Sequence, residues 1–174
     1  SNPVYKTATT FVQAPTDPVQ FISGPESFFM QAEARERYFG GDQSQAVYNA
    51  GVQAAFAVYG YDASAFIASG GSYAYPVSGT LDEKIDAIIT QKWASLPGSH
   101  ALEAWFERNR TGFPLTSPVY STDPAYVPGQ FVISAASVIG NAFPKRIVFP
   151  DNERSRNPNT PAQVPITTPV WWGK

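Results

Sequence analysis

The chain has 174 residues, 43% hydrophobic and 15% charged, a size and apolar content suited to one domain with a substantial core. A formal charge of −2, from 12 Lys+Arg against 14 Asp+Glu, provides no basic field for nucleic acid or anionic lipid. Zero cysteines exclude disulfides, thiolate zinc sites, iron–sulfur clusters, a cysteine nucleophile and a lipid-modified cysteine within this chain.

Proline divides the sequence, with 4 in residues 1–25, 2 in residues 26–113 and 10 in residues 114–174. Because proline lacks an amide donor and clashes with the preceding turn, helices are expected across about 25–113 and loops across about 114–174. The expected fold class is therefore mainly α, with little β. Aromatic residues make up 14% of the chain, which favours an ordered tail. No apolar run approaches the ~20 residues that span a bilayer, and no charged-then-apolar leader opens the chain.

A first helix is predicted from about Pro25 to Phe39, with Ser23 and Glu26 in capping-box spacing and Gly40-Gly41 as the stop. Its apolar residues, among them Phe28, Phe29, Met30, Ala32 and Tyr38, wrap more than one face and call for several neighbours. Asp42 is the expected cap of a second helix, roughly Ser44 to Tyr59, with a stripe of Val47, Ala50, Gly51, Ala54 and Val58. Gly51 at mid-helix costs about 0.8–1 kcal/mol against Ala and points to close approach of a neighbouring backbone. The two helices read as an antiparallel pair. Residues 61–79 follow as a linker rich in Gly, Ser and aromatics.

Thr80 and Glu83 form a second capping box. The helix they open, about Leu81 to Leu96, carries Leu81, Ile85, Ile88, Ile89, Trp93 and Leu96 on one face. A fourth helix, about Ala101 to Arg110, turns Leu102, Trp105 and Phe106 inward and ends at Gly112 and Pro114. Residues 131–139 read as a strand or a short buried helix, and Trp171-Trp172 as a tail folded back onto the body.

His100 is the single histidine, which excludes His-pair metal motifs and favours a surface or capping role. Neither a phosphate-binding glycine loop nor a GxSxG elbow occurs, so no metal, cofactor or nucleotide is expected. Glu103 and Glu107 stand four apart on one helix face, as an acid–base pair or as members of an ion-pair network with nearby arginines. Glu33 lies between two alanines on a surrounded helix and needs a partner; Arg110 is expected to pair with Glu33, Glu103 or Glu107. In the linker, Tyr61, Phe66, Tyr73 and Tyr75 are the candidate ligand-binding residues, because aromatic rings beside Asn, Gln and Ser form surfaces on which sugars stack. The alternative is that these rings pack onto their own scaffold.

Four blocks occur in order: ESFFMQAEARERY at 26–38, GDQSQAVYNAGVQAAFAVYG at 41–60, ITQKWASLPGSHALEAWFERNRTGFP at 89–114 and FPKRIVFPDNERSRNPN at 143–159, before a closing Trp-Trp. Together they resemble the C-terminal part of SusD/RagB-family proteins, with Asn109 standing where an arginine is usual and Lys145 and Phe149 also departing from the pattern. The resemblance implies helix pairs of the tetratricopeptide kind, a loop-rich close, and a surface-exposed outer-membrane lipoprotein of Bacteroidetes-type bacteria. It implies a non-catalytic protein that binds oligosaccharide or another nutrient and partners a SusC-type TonB-dependent transporter. Family members are much longer, so residues 1–174 are read as a single C-terminal portion without the anchoring segment. Two other readings stand beside it: a docking module with no ligand site here, and a glycoside hydrolase, which needs two carboxylates facing across a cleft roughly 5–10 Å apart.

Overall fold

The computed structural model describes residues 14–17 and 19–174. Six helices follow in order: α1 Gly24–Tyr38, α2 Ser44–Ala57, α3 Ser64–Ile67, α4 Leu81–Ser95, α5 Ala101–Thr111 and α6 Asp151–Arg156. Among the described residues there is no strand, only one isolated parallel bridge between Thr116 and Phe131. The mainly helical class holds, although the short α6 lies within the proline-rich stretch expected to be loops.

Local chemistry sets the helix starts. Ser23 accepts from the Glu26 amide at 3.2 Å while the Glu26 carboxylate accepts from the Ser23 amide, and Thr80 with Glu83 repeats the arrangement at α4. The expected Asp42 cap is not made. Gln43 occupies the cap of α2 in the left-handed region (φ 59°) with no side-chain cap bond, and the Asp42 carbonyl instead accepts from Arg35 Nη1 at 3.0 Å. α5 ends on Gly112 at φ 86°, where a residue without Cβ carries no strain.

α1 packs on α2 and α4, and α4 on α5. The pairing gives directions: Ser44 donates to the Ala32 carbonyl at 3.1 Å, while Tyr48 and Gly51 meet Phe29, so α1 and α2 are antiparallel. Glu26 reaches Lys92 and Glu36 reaches Lys84, so α4 also runs against α1. His100 meets Glu26 and Arg110 meets Glu33, which places α5 parallel to α1. The core between these helices is Phe29, Ala32, Tyr48, Val52, Ala63, Tyr75, Ile85, Ile88 and Ile89.

Several expected faces are corrected. The buried side of α2 is Ser44, Tyr48, Gly51 and Val52, whereas Val58 is exposed and lies beyond the helix. Gly51 accommodates a side chain, not a backbone: a Cβ there would sit 2.9 Å from the Phe29 ring. On α5, Leu102 is exposed and the buried residues are Ala104, Arg108, Asn109 and Thr111. Residues 131–139 form neither strand nor helix beyond the bridge at Phe131. At these positions tertiary neighbours override the hydrophobic period.

A line of charges joins α1, α4 and α5. Lys92, 4% exposed at its side chain, lies 3.8 Å from Glu26 and 3.2 Å from Glu107. Arg110 donates to both Glu33 oxygens at 2.9 and 2.7 Å and to Glu107 at 2.7 Å, and Arg37 donates to Glu33 at 2.7 Å. Burial pushes the Glu33 carboxyl up, yet the hydrogen bonds and charges of Arg110 and Arg37 outweigh it and hold the group below its ordinary value. Glu103, expected in this network, is exposed and outside it.

The loop-rich part is fastened by polar side chains to backbone carbonyls. Trp105 Nε1 and Asn109 Nδ2 both donate to the Pro144 carbonyl, and Arg146 donates to those of Thr168 and Pro169. Phe131 meets Trp93 and Phe143 edge-on, and Arg108 lies 4.3 Å over the Phe143 ring. The tail folds back with one tryptophan only: Trp172 packs on Phe106 at 5.9 Å, while Trp171 is 95% exposed.

Two stability predictions follow from these contacts. Gly51→Ala improves helix propensity but crowds the buried Phe29 ring, so chemical denaturation should show a net loss of about 1–3 kcal/mol. Because the folded-state pKa of Glu33 is depressed, its stabilisation is present above the unfolded value of about 4.3 and is lost as pH falls through the folded value. Glu33→Gln should therefore be less stable than wild type by roughly 1–2 kcal/mol at pH 7, discounted for the partly exposed Arg110, with the gap closing towards pH 3. A gap that stays constant across that range contradicts the assignment.

Candidate ligand-binding surface

The linker between α2 and α4 folds back on the end of α2. Asp62 accepts from the Ser64 amide at 3.1 Å and the Ser64 hydroxyl at 2.9 Å, opening the single turn of α3, and those bonds hold its carboxyl below the ordinary value. Gln53 on α2 accepts from the Ala63 amide at 3.0 Å and so anchors the turn to the bundle. After α3 the chain returns so closely that a Cβ on Gly71 would lie 2.4 Å from the Phe66 carbonyl oxygen; only glycine fits. The Tyr73 amide then donates to that same carbonyl at 2.8 Å.

This return places the Phe66 and Tyr73 rings in a stack, 5.4 Å between centroids with 21° between planes. Phe56 of α2 braces both from beneath, at 5.2 Å from Phe66 and 6.4 Å from Tyr73. Phe66 remains 39% exposed and Tyr73 36% exposed, so the pair offers solvent an apolar edge on a fixed base. Rings held this way form a surface on which the C–H face of a sugar packs without ordering a flexible side chain.

The four aromatic candidates therefore separate. Phe66 and Tyr73 are brought together, while Tyr61 is exposed with no ring partner among the described residues. Tyr75 belongs to the core: its ring lies 5.2 Å from Tyr48, and its hydroxyl donates to Glu36. Burial and the neighbouring Glu36 carboxylate push the Tyr75 phenol up. For Glu36, burial pushes the carboxyl up, but the Tyr75 hydroxyl and Lys84 outweigh it and hold the group down. Tyr48 donates to the Tyr73 carbonyl at 2.8 Å, so the core tyrosine also positions the exposed pair.

The charged candidates lie elsewhere. Glu33, Glu107 and Arg110 meet in the network between α1 and α5, whereas Glu103 points away from it. His100 does not cap its own helix with its side chain; its ring bridges Glu26, at 3.2 Å from Nδ1, and the Gln20 carbonyl. Among the described residues, no group of three or more His, Asp or Glu side chains is placed to hold a metal ion. No helix of the described residues is long and apolar enough to cross a membrane.

The sequence reading missed the burial of Lys92 and Asn109 and placed Arg108 among the ion-pairing arginines; all three are buried, and Arg108 donates to Thr116 Oγ1 and lies over the Phe143 ring instead. Lys92 was legible, because it stands in register with Ile85, Ile88, Ile89 and Leu96 on the buried face of α4. Arg108 and Asn109 were not, since their burial depends on loop residues 116, 143 and 144, distant in sequence.

No curated protein matches the chain. The model of the SusD-like_2 family, described as starch-binding associating with outer membrane, matches residues 2–131, about three quarters of the sequence. With the α1–α2 pair, the short glycine-tightened linker and the α4–α5 pair all inside that span, the chain belongs to this SusD-like family.

Proposed function

We propose that this protein is a non-catalytic, glycan-binding component of an outer-membrane uptake system, working with a SusC-type TonB-dependent transporter at the cell surface. In this reading the chain is the C-terminal portion of a surface lipoprotein. Family membership supports the ligand class and the outer-membrane association. The observation that carries the reading to particular residues is the stacked, half-exposed Phe66–Tyr73 pair, held by Gly71, Phe56 and Tyr48. A fixed aromatic surface selects sugars by shape and C–H contact and needs no reacting group.

The hydrolase reading has less behind it. Glu107 is neutralised by Lys92 and Arg110, and Glu103 is solvated and apart from it. Glu107 is thus engaged in an ion-pair network rather than facing a second carboxylate for acid–base work. The docking reading has a specific observation in its favour: α1 leaves Met30, Tyr38 and the adjoining Phe39 exposed, with Phe21 and Ile22 bare before it. Docking through this face would leave the Phe66–Tyr73 pair free, since α1 and the linker that carries the pair are separate elements.

Isothermal titration with a maltooligosaccharide series and soluble starch tests the reading. Wild type should bind, and the Phe66→Ala/Tyr73→Ala variant should weaken by roughly tenfold or more, about 1.4 kcal/mol, with its helical circular dichroism unchanged. Full affinity in that folded variant removes the aromatic pair from the site.

A further inference from the structure

A cleft of about 500 Å³ lies along α1 and α5, lined by Met30, Glu33, Arg37, Tyr38, Glu107 and Arg110. Its size falls within the roughly 300–1,000 Å³ of small-molecule sites. Lys92 also lines it, buried and held between Glu26 and Glu107, so one charged wall is fixed before any ligand arrives.

The hydrogen-bonding inventory of the cleft is lopsided. Both carboxylates are engaged by cations: Glu33 Oε1 accepts from Arg37 Nε and Arg110 Nη1, Glu33 Oε2 from Arg110 Nη2, and Glu107 takes Arg110 Nη2 and Lys92 Nζ. Arg37 uses only Nε among the described residues, which leaves both terminal amino groups of its guanidinium unspent. Lys174 lines the same cleft; its main-chain oxygen accepts from Lys145 Nζ, and its own ammonium enters no ion pair among the described residues. Four cationic side chains, Arg37, Lys92, Arg110 and Lys174, line the cleft against two carboxylates, an excess of donors and positive charge that suits an anion better than a neutral hydroxyl cluster. A planar carboxylate matches the two parallel N–H groups of a guanidinium. Beside these donors, the exposed Tyr38 ring and Met30 offer apolar surface of the kind a pyranose covers.

We propose that this cleft is a second saccharide subsite that selects a uronic-acid residue, its carboxylate taken by Arg37 and its ring laid against Tyr38 and Met30. The proposal rests on the glycan-binding reading and names a sugar class for a face remote in sequence from Phe66 and Tyr73. Two subsites of different chemistry would let the protein hold a mixed polysaccharide at two points, and the second contact would then be intramolecular.

Titration of the full chain with trigalacturonate and with maltotriose at low salt tests it. Trigalacturonate should bind through the cleft with an affinity that falls as salt is raised. Arg37→Gln should cost it about tenfold or more, as expected for loss of charge-assisted bonds, and leave maltotriose unchanged. Tyr38→Ala, which leaves every ion pair intact, should weaken it as well, while Tyr73→Ala should not. Trigalacturonate affinity unchanged in both Arg37→Gln and Tyr38→Ala overturns the proposal, as does a sulfated trisaccharide binding in preference to the uronate. Loss of maltotriose binding alone would refute the aromatic-pair reading and leave this one standing.

Discussion

The arrangement depends on a buried ammonium. Lys92 sits at the centre of the α1–α4–α5 packing, 4% exposed, where an unpaired charge would cost several kcal/mol. It is tolerable only because Glu26 comes from α1 and Glu107 from α5, so satisfying one lysine fixes the relative position of three helices. The same two carboxylates pass the constraint outward: Glu26 to the His100 ring at the start of α5, Glu107 through Arg110 to Glu33 and Arg37. Desolvated pairs of this kind contribute modestly to stability compared with apolar packing, but few alternative packings satisfy them, and their value lies in specifying register.

The other half of the scaffold is set by tyrosines. Tyr48 is buried among Phe29, Tyr75 and Val52, and its hydroxyl reaches the Tyr73 carbonyl; Tyr75 is buried beside it, and its hydroxyl reaches Glu36. Each buried ring thus delivers its polar end to a partner, as a buried phenol requires. The consequence for function is positional. The linker carrying Phe66 and Tyr73 is joined to α2 at several points and to α1 through Tyr75 and Glu36, so its exposed rings stand on a supported base.

Much of the fold was legible because its signals are local. Both capping boxes, the glycine stops and the 3.6-residue period of α4 act within one or two turns, and the helices they predict are present within a residue or two. What escaped was decided by distant neighbours. The buried face of α5 is polar because the loops around Thr116, Phe143 and Pro144 close over it, and no periodicity of α5 records that. Gly51 marks a close approach, but by the Phe29 ring one helix away and not by the backbone that its place in a small-residue stripe suggests. Among the ligand candidates, residue type alone grouped four aromatics; only the reversal at Gly71 separates the exposed pair from the core residue Tyr75.

The claim most open to direct measurement is that Lys92 and Glu107 act as one coupled unit joining α4 to α5. A double-mutant cycle of Lys92→Met and Glu107→Gln, read by denaturant unfolding at pH 7, isolates that coupling. The account predicts an interaction of about 1–3 kcal/mol, with the double variant losing clearly less than the sum of the single losses. Single losses that add to within about 0.3–0.5 kcal/mol would show the two side chains to be independent and contradict it.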